Sequence, residues 1–531
     1  MDLNITLLAL GILGLLAVYQ LFVYPAFLSP LAKVPAANFS ASFSSLWSNY
    51  IRWANIENNT LYELHRKLGP IVRLGPNELS VDCYEGGLKT IYTGGFHKTD
   101  FYKNRFTNYG MQNSFTMIDK AEHSARKRML SNIYSKTVVL ASPTVKETTK
   151  SILFERLLPI FQAAAETGRS IDVHRLDYAY AMDSFMSYQF GLSIGSNFIQ
   201  DDSKRNWYLD NFFGRRPWIY WITEHPQLAA LLSKVGLHII PKWVDESTEA
   251  LEAWQIDICD KAERLLSTNP SIASTDPGNY PAIFATERAQ FQKSDGVNWK
   301  TVSPGQAYPR RLEIASDMYD HNAAAHETSG DTLTYVYYEL SKRPALQAEL
   351  RKELLTLQPP ILFPAETADI STVTFPDPKA VDQLPLLDAT LQETLRRWVA
   401  VPGPQFRRTP AEGCSLAGYD NIPGGVRVSC LAYSLHRNPN VFPSPLEWRP
   451  ERWLHATGDE LREMRRWFWA WGSGGNMCIG SNFATHSMKH AIAAIYTNFT
   501  TEIVDAEGIE QAEGFTAGPV GDKLVLRFRH V

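Results

Sequence analysis

Cysteine is scarce in this chain and follows no pairing pattern. Its five cysteines (Cys83, Cys259, Cys414, Cys430 and Cys478) are scattered, and no two have CxxC spacing. That excludes a disulfide framework or a zinc knuckle as a reading of the spacing. It leaves single thiols, one of which can have a chemical task. Positive charge is not in surplus either. Lys plus Arg number 52 against 56 Asp plus Glu, a net charge of −4 over 531 residues. A nucleic-acid binder needs a basic balance, so that class is excluded. No Gly-rich dinucleotide fingerprint follows a strand, so the chain brings no nicotinamide- or flavin-binding unit of its own. There is no internal repeat. What is present is globular in character: 44% hydrophobic, 12% aromatic and 20% charged.

Charge is also missing from one end. Residues 3–32 contain none. Pro25 predicts that a first helix stops at about residue 24, which makes 22 residues or ~33 Å, enough to span a hydrocarbon core of ~30 Å. Only Asp2 precedes the run, whereas a secretory signal wants Lys or Arg there. Buried core helices are seldom this long and this apolar. Lys33 follows at once, which places the body on the cytosolic side and the N-terminus in the lumen. No second run of this length occurs, so the reading is one anchor. Residues 29–35, with prolines at both ends, then form a stiff hinge.

The body reads as helix-rich with a minor β portion. Residues 71–74 and 78–82 flank Gly75-Pro76-Asn77 as a hairpin. Helices are expected over 122–140, over 144–158 between Pro143 and Pro159, over 251–266, and as one long helix over 311–342. Another starts at Pro344, a favourable first helical position, and a further one covers 384–398. Residues 267–309 and 358–380 are rich in Pro, Gly and Ser and read as loops. Turns and short strands fill 401–428, and 523–531 is a last strand. The aromatic-dense stretch 207–243 reads either as core packing or as a pocket roof or membrane-facing loop.

The most informative segment is Trp471-Gly-Ser-Gly-Gly-Asn-Met-Cys-Ile-Gly480. Its glycines allow tight turns and close approach to a flat partner. They leave backbone N–H groups free to point at the Cys478 sulfur and lower its pKa, and the helix beginning at Ser481 adds its N-terminal dipole. This window resembles the haem-binding loop of the cytochrome P450 family, Phe-x-x-Gly-x-Arg-x-Cys-x-Gly. The match is Trp471, Gly474, Cys478 and Gly480. Trp471 replaces Phe and keeps an aromatic wall. Asn476 stands where the family has an Arg for a haem propionate.

The resemblance implies further motifs in a fixed order, and they are present. Glu393-Thr-Leu-Arg396 and Arg452 of Arg449-Pro-Glu-Arg-Trp453 are similar to the family's buried charge network behind the haem-binding loop. Ala324-Ala-His-Glu-Thr-Ser329 in the long helix is similar to the oxygen-binding segment, with Glu327 as proton relay and Thr328 as hydrogen-bonding alcohol. His123-Ser-Ala-Arg-Lys127 resembles the Trp-x-x-x-Arg helix, which makes His123 and Lys127 propionate partners. Arg407, or its neighbour Arg408, is implied as another. The phrasing around Glu393 and Cys478 resembles fungal members, including benzoate 4-monooxygenase-like and secondary-metabolite enzymes.

The resemblance thus implies a mainly α fold with a minor β portion, the P450 triangular prism of helices plus a small β domain. Residues 1–32 would be the anchor and hinge, and 33–531 one catalytic domain. It implies haem b (iron protoporphyrin IX) as cofactor, bound by Cys478 as axial iron ligand, with His123, Lys127, Arg407, Trp471, Gly472, Asn476 and Gly480 around it. It implies a monooxygenase using dioxygen and a lipophilic small molecule, fed by a separate NADPH-dependent flavoprotein reductase, with cytochrome b5 as a further electron carrier, in the endoplasmic reticulum membrane. Arg126, Lys127, Arg128, Arg462, Arg465, Arg466 and Lys489 are expected as a cationic docking face. The pocket is expected to draw on residues 100–120, 207–243, 322–325, 399–406 and 515–520. Two rival readings use the same loop. One is a haem-thiolate isomerase or dehydratase working without dioxygen, against which Glu327-Thr328 argues. The other is a non-catalytic membrane haem-binding protein.

Overall fold

A computed structural model describes residues 2–296, 308–364 and 372–531. Helices dominate, and the longest of the body, Arg311–Ser341, runs through the centre with most of its side chains buried. Its main partner is Val173–Phe190, in which 17 residues are buried. A helix covered on every side needs no apolar stripe, which is why no periodicity announces it. Around this pair packs a large core that includes Leu333, Val336 and Leu340 from the long helix and Ile492 and Ile495 from the helix Ser481–Asn498.

The β portion lies to one side. Strands β1 (Ile71–Gly75) and β2 (Glu78–Val81) form the expected antiparallel hairpin, with Ile71 opposite Val81. Strand β3 is His97–Lys98, β4 Ser170–Asp172 and β5 Arg407–Arg408. A two-stranded ribbon, β6 (Cys414–Leu416) with β7 (Tyr419–Ile422), precedes β8 (Arg427–Ser429). The main sheet has the order β1-β2-β8-β5-β3, with β8 parallel to β2 and the other neighbours antiparallel. The last strands, β9 (Phe499–Asp505) and β10 (Val525–His530), join β4 in a separate sheet.

Several sequence expectations are corrected. The first helix does not stop before Pro25. Asp2–Val18 continues as wide, π-type turns over Tyr19–Leu28, with Pro25 inside. Widening moves the backbone away from the proline ring that would obstruct an α-turn, and the segment ends where Ser29 N–H donates to Tyr24 O at 2.8 Å. The apolar span is Ile5–Leu28, with a mean hydropathy of 2.2 and none of it buried. The Arg73 guanidinium holds its end by donating to Pro25 O at 2.9 Å.

The helix expected over 122–140 is two, Lys120–Ser131 and Lys136–Ala141. Pro159 does not end a helix, because it lies in the first turn of Leu158–Thr167, which continues the run begun at Pro143. Within 267–309, the supposed loop holds Ala282–Asp295, a helix seated on Ile283, Phe284 and Phe291. Residues 297–307 and 365–371 lie outside the described ones, so the rest of both loop expectations is tested only in part. The helix expected over 251–266 extends to Lys242–Thr268.

Candidate functional site

The cysteine loop leaves the helix Gly458–Trp467, whose start is fixed by a capping box between Thr457 and Glu460. Trp469 N–H donates to His436 Nε2 at 2.7 Å, and its indole N–H donates to Ser473 Oγ at 3.0 Å. Gly472 and Gly474 then take positive φ, +68° and +64°. Gly474 passes directly beneath Tyr92 O, where a Cβ would collide. The turn closes with Cys478 N–H donating to Trp471 O at 2.8 Å.

Cys478 opens onto a cavity. The N–H groups of Gly480 and Ser481 point at its sulfur. They pull the thiol pKa down, as does the Lys127 charge, but burial outweighs them and pushes it up. The net direction is therefore opposite to the sequence expectation. The surroundings are too apolar for the donors alone, and a cation on the sulfur would take the proton's place.

Behind the loop, Arg396 and Glu393 form a bidentate pair at 2.8 and 2.9 Å, both fully buried. Arg452 Nε adds a bond to Glu393 at 3.0 Å, and Trp453 Nε1 another at 2.9 Å. The three residues singled out from the sequence thus meet. Arg396 also donates to the carbonyls of His436, Pro445 and Glu447. With its valences filled in this way, a buried pair avoids the penalty of unpaired charge. His436, which the sequence reading treated only as part of a turn, joins this network to the cysteine loop. Its Nδ1 faces Arg396 O at 3.0 Å and its Nε2 accepts from Trp469 N–H.

The cavity measures about 960 Å³. All five expected segments contribute, among them Phe101, Phe212, Ala324, Phe406 and Phe515. The stretch 207–243 both roofs the cavity, through Phe212, Phe213 and Tyr220, and exposes Leu231, Val235, Leu237 and Trp243 outside. Glu327 and Thr328 line the cavity from the long helix. Thr328 Oγ1 donates to Ala324 O at 2.8 Å, and Glu327 faces Arg216 at 3.6 Å.

A knot of positive charge sits beside Cys478. Lys98 on β3 lies directly opposite Arg407 on β5, an unfavourable register for two cations. Lys98, His123 and Lys127 line the cavity, whereas Arg407 is buried behind its wall against the Tyr92 and Tyr102 rings. Arg408 is exposed and faces Asp100. Lys127 Nζ donates to Gly475 O and Met477 O, so it clamps the cysteine loop.

Burial and the neighbouring cations pull Lys98 down to about 7 and His123 to about 4. Among the described residues, no carboxylate forms an ion pair with Lys98, Lys127 or Arg407. Asp320, the one acid acting on Lys98, is itself pushed up to about 8 by burial. Arg407 Nε and Asn476 Oδ1 are buried without partners. The cluster is short of a counter-ion. Lys98 was missed in the sequence because a two-residue strand carries no pattern.

The expected docking face is reduced. Arg126 is buried in a cluster with Glu287, Glu313 and Asp317, and Lys489 is buried against Asp382 and Asp388. Lys127 is turned to the loop, so Arg128, Arg462, Arg465 and Arg466 are the cations left exposed.

The sequence model of the family described as Cytochrome P450 matches residues 291–525, the segment holding the long helix, the charge network and the cysteine loop. Over these residues the chain belongs to the cytochrome P450 family. It is similar to cytochrome P450 monooxygenase avaI of Aspergillus versicolor, 27% identical over 81% of this chain and 95% of that protein. It is also similar to cytochrome P450 monooxygenase hkm5 of Aspergillus hancockii, 25% identical over 94% of this chain and 91% of that one. A crystal structure of a cytochrome P450 has the same fold, with a TM-score of 0.66 at 18% identity over 89% of this chain and 94% of that chain.

The protein is thus a haem-thiolate monooxygenase whose cofactor is haem b. The named relatives are monooxygenases, which does not favour the isomerase or carrier readings. The residues present fit the cofactor. A thiol with N–H donors around its sulfur opens onto the cavity, and the neighbouring cation cluster lacks the negative charge that two propionates carry. As a P450 the chain uses dioxygen, a substrate and a redox partner, and its N-terminal apolar helix, the one such helix among the described residues, is compatible with a membrane anchor.

Proposed function

We propose that Cys478 is the axial ligand of the haem iron and that the cavity beside it is the oxidation chamber for a lipophilic small molecule. One observation carries the reading. The Cys478 sulfur, backed by the N–H groups of Gly480 and Ser481, opens onto the same 960 Å³ cavity as Ala324, Glu327 and Thr328. Bound haem supplies dioxygen activation, and its thiolate ligand favours O–O cleavage. The protein's own part is positioning and protons. Lys98, His123 and Lys127 hold the propionates at the cavity wall, and Arg407 strengthens their field from behind it. Trp471, Gly472 and Gly480 line the cavity around the cofactor, and Asn476, with its Oδ1 unpartnered, would stand beside it in place of the usual Arg. Glu327 and Thr328 deliver protons from the long helix. Glu393, Arg396 and Arg452 keep the loop in place.

Residues 1–32 anchor the chain in the endoplasmic reticulum membrane, and 33–531 form one cytosolic catalytic domain. The exposed Leu231, Val235 and Leu237 rest on the lipid surface. Electrons come from a separate NADPH-dependent flavoprotein reductase, with cytochrome b5 as second donor, docking near Arg128 and Arg465. The setting is fungal secondary metabolism, and the reaction is a hydroxylation, epoxidation, desaturation or coupling.

The test is the optical spectrum of the reduced, carbon-monoxide-bound protein. Wild type is expected to show the long-wavelength thiolate band and Cys478→Ser to lose it. A band that persists in the serine variant refutes the assignment.

A further inference from the structure

The cavity holds a second cationic centre, separate from the group beside Cys478. Arg105 lies in the last turn of the helix Asp100–Phe106 and lines the cavity. Its guanidinium packs among three aromatic rings: Phe106 at 5.1 Å, Phe515 at 5.2 Å and Phe101 at 6.0 Å. The charges acting on it are Glu327, Arg216 and Arg215, and none of them belongs to the Lys98–Arg407 group.

Both neighbouring arginines are satisfied. Arg216 pairs with Asp522 at 3.1 Å and Glu327 at 3.6 Å. Arg215 donates to Thr248 Oγ1 at 3.0 Å. Arg105 is different: among the described residues it has neither an ion pair nor a hydrogen bond. A guanidinium carries five N–H donors and cannot shed its proton. Leaving those donors unmade among aromatic rings is costly.

Among the described residues, no carboxylate lining the cavity is spare. Five carboxylates line the cavity. Glu57 is held by Arg52 and Glu224 by Arg427. Glu513 accepts from the N–H groups of Asn58 and Asn59, and Glu327 faces Arg216. Asp320 is kept protonated by burial near neutral pH. The acceptors left to it are water in the cavity and a ligand that displaces that water. One planar fork matches one carboxylate in two parallel hydrogen bonds, and the flanking phenylalanines suit an apolar body next to it.

We propose that Arg105 binds the carboxylate of an apolar carboxylic-acid substrate. The inference rests on the reading of this cavity as the oxidation chamber and narrows its substrate class.

The test uses full-length, haem-loaded protein in nanodiscs at pH 7.5 and equilibrium dialysis, a readout independent of the sulfur–iron bond. The probes are dodecanoic acid, 4-biphenylcarboxylic acid and 2-naphthoic acid, each against its methyl ester. Wild type is expected to bind at least one acid about tenfold to a hundredfold more tightly than its ester. Arg105→Gln is expected to abolish that preference and leave the ester affinity within about twofold. Should that variant fail to hold haem, Arg105→Met, which keeps the apolar stem, takes its place. Wild type without any acid preference, including no binding of any probe, overturns the proposal. So does a preference that survives loss of the guanidinium. A wild type that lacks the thiolate band but shows the Arg105-dependent preference refutes the Cys478 assignment and leaves this one standing.

Discussion

Replacing His436 by Phe separates hydrogen bonding from packing at the joint between the buried charge network and the cysteine loop. The ring stacks on Phe468 at 5.5 Å with planes 8° apart, and a phenyl ring preserves that contact. What disappears is the pair of bonds to Arg396 O at 3.0 Å and from Trp469 N–H at 2.7 Å. Both backbone groups are then buried without partners, at roughly 1–3 kcal/mol each, or about 2–6 kcal/mol together.

The loss also has a pH signature. Burial, then the Arg396 charge, lowers His436 from 6.5 to about 3. The unfolded chain therefore takes up a proton below pH 6.5 that the folded chain refuses until about pH 3. Stability from the neutral ring is fully present above 6.5 and is lost as pH falls through that window. Between pH 7.5 and 5.0 wild type should lose ~2 kcal/mol through this residue, and the Phe variant nothing. Urea unfolding followed by tryptophan fluorescence at the two pH values reads the difference. The gap should be about 2–6 kcal/mol at pH 7.5 and narrow by ~2 kcal/mol at pH 5.0. A gap below ~1 kcal/mol at pH 7.5, or one that stays constant or widens on acidification, would refute His436 as the joint between the charge network and the cysteine loop.

Two more outcomes follow from the same geometry. Thr328→Ala should retain haem and its thiolate band while NADPH consumption shifts from product towards hydrogen peroxide, and unchanged coupling in a reconstituted assay would remove Thr328 from proton delivery. Gly474→Ala places a Cβ against Tyr92 O at a φ of +64°. It should destabilise the loop by roughly 1–3 kcal/mol and lower the haem occupancy of the purified protein, as measured by absorbance ratio.

Much of this protein was written in short stretches of chain. The apolar N-terminal helix, the cysteine loop, Glu393 with Arg396, and the long helix with Glu327 and Thr328 are each contiguous, so composition exposed the first and resemblance to a known family's short motifs exposed the others. Through those motifs the sequence determined the class of chemistry. It overreached where a local rule met a tertiary exception. Pro25 and Pro159 do not end helices, the first because the turns widen around it and the second because it occupies a first turn. The helix Val173–Phe190 had no pattern to read, since it is covered on all sides.

Tertiary structure alone decided which charges are matched and which are not. Arg126 and Lys489, placed by sequence on a docking face, are buried against carboxylates brought from distant helices. Lys98 meets Arg407 across two short strands, His436 bridges Arg396 and Trp469, and Arg105 is left without a carboxylate partner because every nearby acid is engaged or protonated. Pairing of that kind depends on packing between segments up to several hundred residues apart, and no local stretch of chain encodes it.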